Sequence, residues 1–108
     1  MNIEKLNKII SEFVDERNWE KFHSPKNLSM ALSVEASELL EIFQWQKEDE
    51  YLEDAETLTN ARDEIADIFY YLLRISNKLN IDLEEALLSK MKKNIEKYPS
   101  SKFNGNYK

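Results

Sequence analysis

Apolar side chains recur every three or four residues along nearly the whole chain, which is the spacing of one face of an α-helix. The residues that make tight turns are scarce, because the 108 residues include one glycine and two prolines. Leucine, isoleucine, glutamate, lysine and alanine dominate instead, and this composition favours helix. The sequence therefore predicts an all-α protein, and its length predicts a single domain.

Two helices are expected in the first part of the chain. The first covers residues 2–21, where apolar and charged positions alternate with helical spacing. Ser24 followed by Pro25 predicts the start of the second helix, since serine caps a helix and proline suits its first turn. This helix is expected to continue to about Trp45.

Two further helices are expected after an acidic connection. Residues 46–57 have a broken pattern and are predicted to form a loop with one short helical turn. The third helix is predicted over 58–79, and the fourth begins after the capping residue Asp82 and ends where Pro99 stops it. The predicted core face of the fourth helix is Leu83, Leu87, Met91, Ile95 and Tyr98.

Composition excludes several classes of function. A net charge of −6 argues against binding to a nucleic acid polymer, which requires a basic surface. The absence of cysteine excludes disulfides, cysteine zinc sites and thiol catalysis. No apolar run approaches the roughly 20 residues of a membrane helix, and the first residues do not resemble a signal peptide. We expect a soluble, cytoplasmic protein with a domain at 1–99 and a polar, mobile tail at 100–108.

Two pairs of acidic residues mark the second and third helices. Glu35 and Glu38 form one pair and Glu64 and Asp67 the other, and a three-residue spacing places both members of a pair on one helix face. Each pair borders an apolar stripe, so packing of the two helices would bring four carboxylates together. Two such charges about 4 Å apart repel by roughly 4 kcal/mol at an effective dielectric of about 20. Such a cluster must take up protons or bind a cation, and oxygen ligands suit Mg²⁺, with Mn²⁺ as a substitute.

Other interpretations of these acids fit the pattern as well. Acidic pairs of this spacing are common on exposed helix faces and need no metal. A diiron site is a poor match, because it requires a Glu-x-x-His motif on each of two helices and His23 is the single histidine. From spacing alone, solvated acids and a magnesium site both remain open.

Seven short segments together make the pattern more specific. They are residues 19–28, Glu35-x-x-Glu38, Phe43-Gln44-Trp45, Glu64-x-x-Asp67, Tyr70-Tyr71-Leu72, Lys90-Met91-x-x-Asn94 and Lys97-Tyr98-Pro99. Over roughly residues 15–100, this combination closely resembles the MazG-like branch of the all-α nucleoside triphosphate pyrophosphohydrolases, in particular the dCTP pyrophosphatase type. The resemblance implies a four-helix bundle assembled as a homodimer or homotetramer, with substrate contacts that cross between subunits. It also implies Mg²⁺-dependent hydrolysis of a nucleoside triphosphate to the monophosphate and pyrophosphate.

The resemblance also implies roles for individual residues. The metal ligands would be the four acids of the two pairs, and either Glu35 or Glu38 would orient or deprotonate the attacking water. Glu41 continues the acidic stripe and is expected to hold a lysine or a water. Lys90 and Asn94 would contact the triphosphate, with Lys90 adding positive charge where negative charge develops.

Three residues match positions that surround the base in dCTP-type enzymes, namely Trp19, His23 and Trp45. A planar base requires aromatic walls and one or two hydrogen-bonding groups, which these side chains offer. Tyr71 lies one turn beyond Asp67 and could reach a phosphate or the sugar. These residues do not distinguish dCTP from a modified or damaged nucleotide. The alternative function is a non-catalytic acidic helical module that assembles with a partner protein.

Overall fold

The computed structural model describes residues 1–105. Helices and turns, but no strands, occur in this part of the chain, so the all-α prediction is confirmed. The helices are α1 (Ile3–Glu16), α2 (Pro25–Phe43), α3 (Ala55–Lys78), α4 (Leu83–Lys97) and the one-turn α5 (Ser100–Phe103), with 3₁₀ turns at Glu20–Phe22 and Glu50–Glu53.

Helix α1 is shorter than the sequence analysis predicts, since it ends at Glu16 rather than at residue 21. Asn18 adopts a left-handed backbone conformation with φ of 53°, which asparagine tolerates better than most residues. The backbone N–H of Trp19 then donates to the carbonyl oxygen of Val14 at 3.1 Å, which closes the helix end. The chain turns here, and the following 3₁₀ turn brings Trp19 and His23 beside the helices.

The starts of α2 and α4 confirm the predicted caps. The Ser24 side chain accepts a hydrogen bond from the backbone of Asn27 at 3.1 Å, and Asp82 accepts one from Glu85 at 3.0 Å. Helix α3 starts at Ala55, so the prediction of a loop through residue 57 is wrong. The Asp54 side chain caps this helix by accepting from the backbone N–H groups of the residues two and three positions later.

The core lies mainly between α2 and α3, with α1 packed against α3. Val14, Leu28, Ala61 and Leu73 are its fully buried apolar side chains. These residues come from α1, α2 and α3, so three helices hold one another in place. The long α3 is the element that the other two share.

Helix α4 has no buried residue. Three residues of the predicted core face, Leu87, Met91 and Ile95, are between 47% and 66% exposed, as is the neighbouring Leu88, so most of this face is uncovered within one chain. The Cα radius of gyration is 17.3 Å, against about 13 Å for a compact chain of this length. A single chain therefore does not complete the predicted four-helix bundle.

The predicted C-terminal tail is partly helical. Residues 100–103 form α5 rather than an irregular tail, and the ring of Phe103 lies 5.2 Å from that of Tyr98. The last three positions of the predicted mobile tail, 106–108, lie outside the described residues.

Among the helices of residues 1–105, none combines the length and apolar character that crossing a membrane requires.

Candidate active site

Helices α2 and α3 bring three of the predicted acidic residues together. Glu35 of α2 and Glu64 and Asp67 of α3 each offer a carboxylate oxygen, and these oxygens all lie within 4.8 Å of one another. The three-residue spacing places both acids of α3 on the face that packs towards α2. This acidic cluster of Glu35, Glu64 and Asp67 is thus a direct result of the packing of two amphipathic helices.

The electrostatics of the acidic cluster are unfavourable when all its members are ionised. The Oε2 atoms of Glu35 and Glu64 are buried and have no hydrogen-bond donor. The neighbouring carboxyl group of Glu64 raises the pKa of Glu35 to about 7, and burial and the nearby side chain of Glu38 act in the same direction. A proton therefore occupies Glu35 in a substantial fraction of molecules at neutral pH unless a cation takes its place.

The acidic cluster suits a hard divalent cation. Mg²⁺ binds oxygen ligands at about 2.0–2.1 Å, so two oxygens on one ion are about 3–4 Å apart. Small side-chain movements would bring the three carboxylate oxygens to this separation from their positions within 4.8 Å. A cation would also satisfy the two buried oxygens that have no donor. The donor set of the site thus fits Mg²⁺ or Mn²⁺.

A pocket of about 470 Å³ opens beside two members of the acidic cluster. One side of the pocket is apolar and aromatic, and the other carries acidic and hydrogen-bonding groups. Its walls are formed by Ile9, Ile10, Phe13, Trp19, His23, Glu35, Ala66, Asp67, Tyr70 and Tyr71. We call this space the carboxylate pocket. It combines a surface for a planar group with charged groups for a metal and phosphates.

A second cleft of about 680 Å³ is larger but has different chemistry. It lies near the end of α2 and the start of α3, and its walls include Phe43, Tyr51 and Ile65. No member of the acidic cluster lines it. The carboxylate pocket is therefore the better candidate for a functional site, despite its smaller volume.

Comparison with known proteins assigns the chain to a family. The sequence pattern of the MazG-like family matches residues 30–108, which include the acidic cluster. The chain belongs to the MazG-like family. A pyrophosphatase from Archaeoglobus fulgidus of known crystal structure is similar to this MazG-like chain, with 46% identity, a TM-score of 0.82, and coverage of 89% of this chain and 91% of that one.

Curated relatives are also similar. Proteins named dCTP pyrophosphatase 1 from Mus musculus and Bos taurus are 36% and 37% identical to the MazG-like chain over 100 residues, or 90% of its length. The aligned region spans 59% of each of those relatives. The similarity thus extends over nearly all of this chain but only part of the longer relatives.

Glu38, the fourth predicted metal ligand, lies at the edge of the acidic cluster. Its side chain is exposed, and it approaches Glu35 closely enough to contribute to the raised pKa of that residue. Glu38 and Glu41 line a neighbouring open cleft with Glu64. Glu64 therefore belongs both to the acidic cluster and to this second acidic surface, and the ligand role of Glu38 stays a prediction.

Two of the predicted aromatic residues form walls of the carboxylate pocket. The ring of Trp19 lies 5.6 Å from that of Phe13 in an edge-to-face arrangement, which fixes its orientation. Tyr71 packs 4.8 Å from Tyr70. Burial raises the pKa of the Tyr71 hydroxyl, and the charges of Glu35 and Asp67 raise it further, so this hydroxyl lies near the acidic cluster.

His23, the third predicted residue in the pocket wall, is held by the buried guanidinium of Arg74. Its Nδ1 accepts a hydrogen bond from Nε of Arg74 at 3.2 Å, and a terminal nitrogen of Arg74 donates to Glu20 at 2.6 Å. Lys78 also pairs with Glu20. Burial lowers the pKa of His23, and the positive charge of Arg74 adds to this effect.

Three predicted substrate-binding residues lie elsewhere in the single chain. Trp45 follows the end of α2 and is 89% exposed. Lys90 and Asn94 lie on α4, and neither lines the carboxylate pocket. Their roles stay predictions, because within one chain the structure does not bring them to the acidic cluster.

The sequence analysis missed Arg74, although a signal for it exists. At about 100° per residue, position 74 falls in the same sector of α3 as Glu64, Asp67 and Tyr71. An arginine that continues a stripe of candidate ligands beside an apolar face is expected to be paired. Phe13 carries no distinguishing signal in the sequence, because its place beside Trp19 depends on the turn at Asn18.

Proposed function

We propose that the protein hydrolyses a nucleoside triphosphate to the monophosphate and pyrophosphate with the help of Mg²⁺ or Mn²⁺. The observation that carries this proposal is the acidic cluster at the edge of a pocket with an aromatic wall. The names of the similar proteins, dCTP pyrophosphatase 1 and pyrophosphatase, agree with this chemistry.

The acidic residues would have two different roles in the reaction, metal binding and proton acceptance. Glu35, Glu64 and Asp67 would hold the cation, which when bound neutralises phosphate charge and favours the leaving pyrophosphate. Water attacks phosphorus, the anhydride bond between the α- and β-phosphates breaks, and the water proton passes to a carboxylate. Glu38 is the better candidate for this proton acceptor, since it lies beside Glu35 without belonging to the acidic cluster.

The base would occupy the apolar side of the carboxylate pocket. Trp19 and its neighbours offer a flat surface there, and His23 offers a hydrogen-bonding group. Tyr71 lies close enough to the acids to contact the sugar or a phosphate. We favour dCTP or a modified cytosine nucleotide as substrate, in a role that removes unwanted nucleotides from the cellular pool. The predicted cytoplasmic location suits this role and stays a prediction.

A homodimer or homotetramer is part of this proposal. The exposed apolar side chains of α4 require a covering surface, and a second copy of the chain would provide one. Such an arrangement would also bring Lys90 and Asn94 of one copy towards the carboxylate pocket of another. The positive charge that a triphosphate requires is otherwise scarce, because the charged residues lining this pocket are carboxylates and a histidine.

The test is a turnover assay with a panel of nucleoside triphosphates, including dCTP and a 5-methylated dCTP, in the presence of Mg²⁺. We expect pyrophosphate to appear with at least one nucleotide and to stop when EDTA removes the metal. Asp67→Asn and Glu38→Gln should each abolish turnover while the helical circular dichroism is preserved. Asp15→Asn, which changes an exposed acid on α1, is the matched control and should retain activity.

The alternative function, a non-catalytic helical module that binds a partner protein, makes opposite predictions. It requires no metal affinity, and it tolerates substitution of the acidic cluster. Absence of pyrophosphate release from every nucleotide would refute the enzymatic proposal. Near-normal rates in both the Asp67→Asn and Glu38→Gln variants would refute the assignment of the site.

A further inference from the structure

Arg74 is a buried cation directly behind the wall of the carboxylate pocket. Only 5% of its surface is exposed, yet it is the neighbour of His23, which lines the pocket. Its guanidinium donates to Glu20 at 2.6 Å through a terminal nitrogen and to Nδ1 of His23 at 3.2 Å through Nε. Glu20 balances the buried charge, so the direction in which Arg74 presents its Nε–H group is fixed.

This contact determines which nitrogen of His23 carries the proton. A guanidinium has donors only and does not lose its proton in proteins. Nδ1 of His23 must therefore be the unprotonated acceptor, and the neutral ring must carry its hydrogen on Nε2. The opposite tautomer would place two N–H groups against each other and would leave the Nε–H of a buried arginine without an acceptor.

The second nitrogen of the ring is directed away from Arg74. The two ring nitrogens of a histidine lie on either side of Cε1, so their hydrogen-bonding directions diverge strongly. Arg74 occupies the side of Nδ1, while His23 itself forms part of the pocket wall. To a ligand that reaches Nε2 from the pocket, His23 would thus offer a donor and not an acceptor.

We propose that Arg74 is a positioning residue that holds His23 as an Nε2–H donor, and that this donor recognises an acceptor on the edge of the bound nucleobase. The acceptor would be a carbonyl oxygen or an unprotonated ring nitrogen. This proposal rests on the proposed function insofar as the ligand is a nucleotide. The tautomer itself depends only on the contact between Arg74 and His23.

The single histidine makes the first test direct. In uniformly ¹⁵N-labelled protein the imidazole signals come from His23 alone. At pH ~8, above the ordinary histidine pKa of about 6.5, the wild-type ring should show the Nε2–H tautomer. Arg74→Met should give a mixture of tautomers, whereas Arg74→Lys, which keeps a cationic donor, should retain the wild-type pattern.

Lys78→Met is the matched control, because Lys78 pairs with Glu20 but not with His23. It removes a neighbouring positive charge and should leave the tautomer unchanged. A wild-type ring protonated on Nδ1 would overturn the proposal without any variant. An Arg74→Met protein that folds and keeps a pure Nε2–H tautomer would overturn it as well.

The second test separates substrate recognition from chemistry. Loss of one hydrogen bond to the base should raise KM for dCTP by up to about tenfold in Arg74→Met, with kcat within about threefold of wild type. Lys78→Met should keep both values close to wild type. A fall in kcat with unchanged KM would show that Arg74 does not act through base recognition. If no nucleotide is turned over at all, the proposed function fails, while the NMR result still decides the role of Arg74.

Discussion

Removal of one negative charge should stabilise this protein at neutral pH. The perturbation is Glu35→Gln, which keeps the shape of the side chain and removes its ability to ionise. In the metal-free protein the pKa of Glu35 is raised from 4.5 to about 7 by the neighbouring carboxyl group of Glu64, by burial and by the nearby Glu38. Ionisation of Glu35 at neutral pH is therefore unfavourable in the folded state relative to the unfolded chain.

The magnitude follows from the difference between the two pKa values. Each pH unit corresponds to 1.36 kcal/mol, so the upper limit is about 3 kcal/mol. Solvent screens a partly exposed carboxyl, which reduces the expected effect to about 1–2 kcal/mol. The folded protein binds this proton more tightly than the unfolded chain, so stability falls as pH rises from about 4.5 to about 7. The stabilising effect of Glu35→Gln should thus be near zero at pH ~4, partial at pH ~5 and largest above pH ~7.

The assay is urea unfolding of both proteins with EDTA at several pH values across this window. Other groups with lowered pKa values, Glu20, His23 and Asp54, titrate in both proteins, so the difference between the two curves isolates Glu35. Glu12→Gln, at an exposed position of α1 outside the acidic cluster, is the control for the loss of one negative charge elsewhere.

Addition of Mg²⁺ should reverse the order of stability. At one hundred times its Kd the cation stabilises the wild type by about 2.7 kcal/mol, which exceeds the advantage of about 1–2 kcal/mol expected for the metal-free variant, and the variant should lose most of this gain. The reasoning fails if the difference between Glu35→Gln and wild type is constant from pH ~5 to pH ~7.5. It also fails if Mg²⁺ stabilises both proteins equally.

Two further predictions concern the surfaces that the single chain leaves open. Trp45→Ala should change the free energy of unfolding by less than about 0.5 kcal/mol, because the side chain is 89% exposed. The same substitution should raise KM. A large loss of melting temperature would instead indicate a structural role for Trp45. Ile95→Lys should reduce the molar mass measured by light scattering, since it places a charge on the exposed apolar face of α4, while the exposed Glu96→Gln should not. A wild-type protein that is monomeric at all concentrations would refute the proposed assembly.

The features that could be predicted from the sequence are those that depend on neighbouring residues. The caps at Ser24 and Asp82 are interactions within three residues, and both form as expected. The prediction that Glu35 and Glu64 lie close together required one further assumption, namely that the apolar stripes of the second and third helices pack against each other. The amphipathic spacing supports this assumption, because the acids border the apolar stripes that become buried when the helices pack.

The features that were not predicted from the sequence depend on less distinctive local signals or on contacts between residues that are far apart in the sequence. Asn18 ends α1 by adopting a left-handed conformation, which asparagine permits but does not require. Asp54 caps α3 inside a run of several acids, where the capping residue is hard to distinguish from the rest. The pairing of Arg74 with Glu20 and His23 spans more than 50 residues, and no local pattern predicts it.

The position of α4 connects assembly with the proposed chemistry. A triphosphate is strongly anionic, and the charged groups in the wall of the carboxylate pocket are acids and a histidine with a lowered pKa. One divalent cation would offset only part of this negative charge, so the proposed enzyme requires further positive groups near the phosphates. Lys90, Lys93 and Lys97 of α4 would offer them, but the apolar face of this helix is uncovered in the single chain. If a second copy covers that face, the same contact that stabilises α4 would supply Lys90 to the pocket, and disruption of the assembly should weaken substrate binding as well as stability.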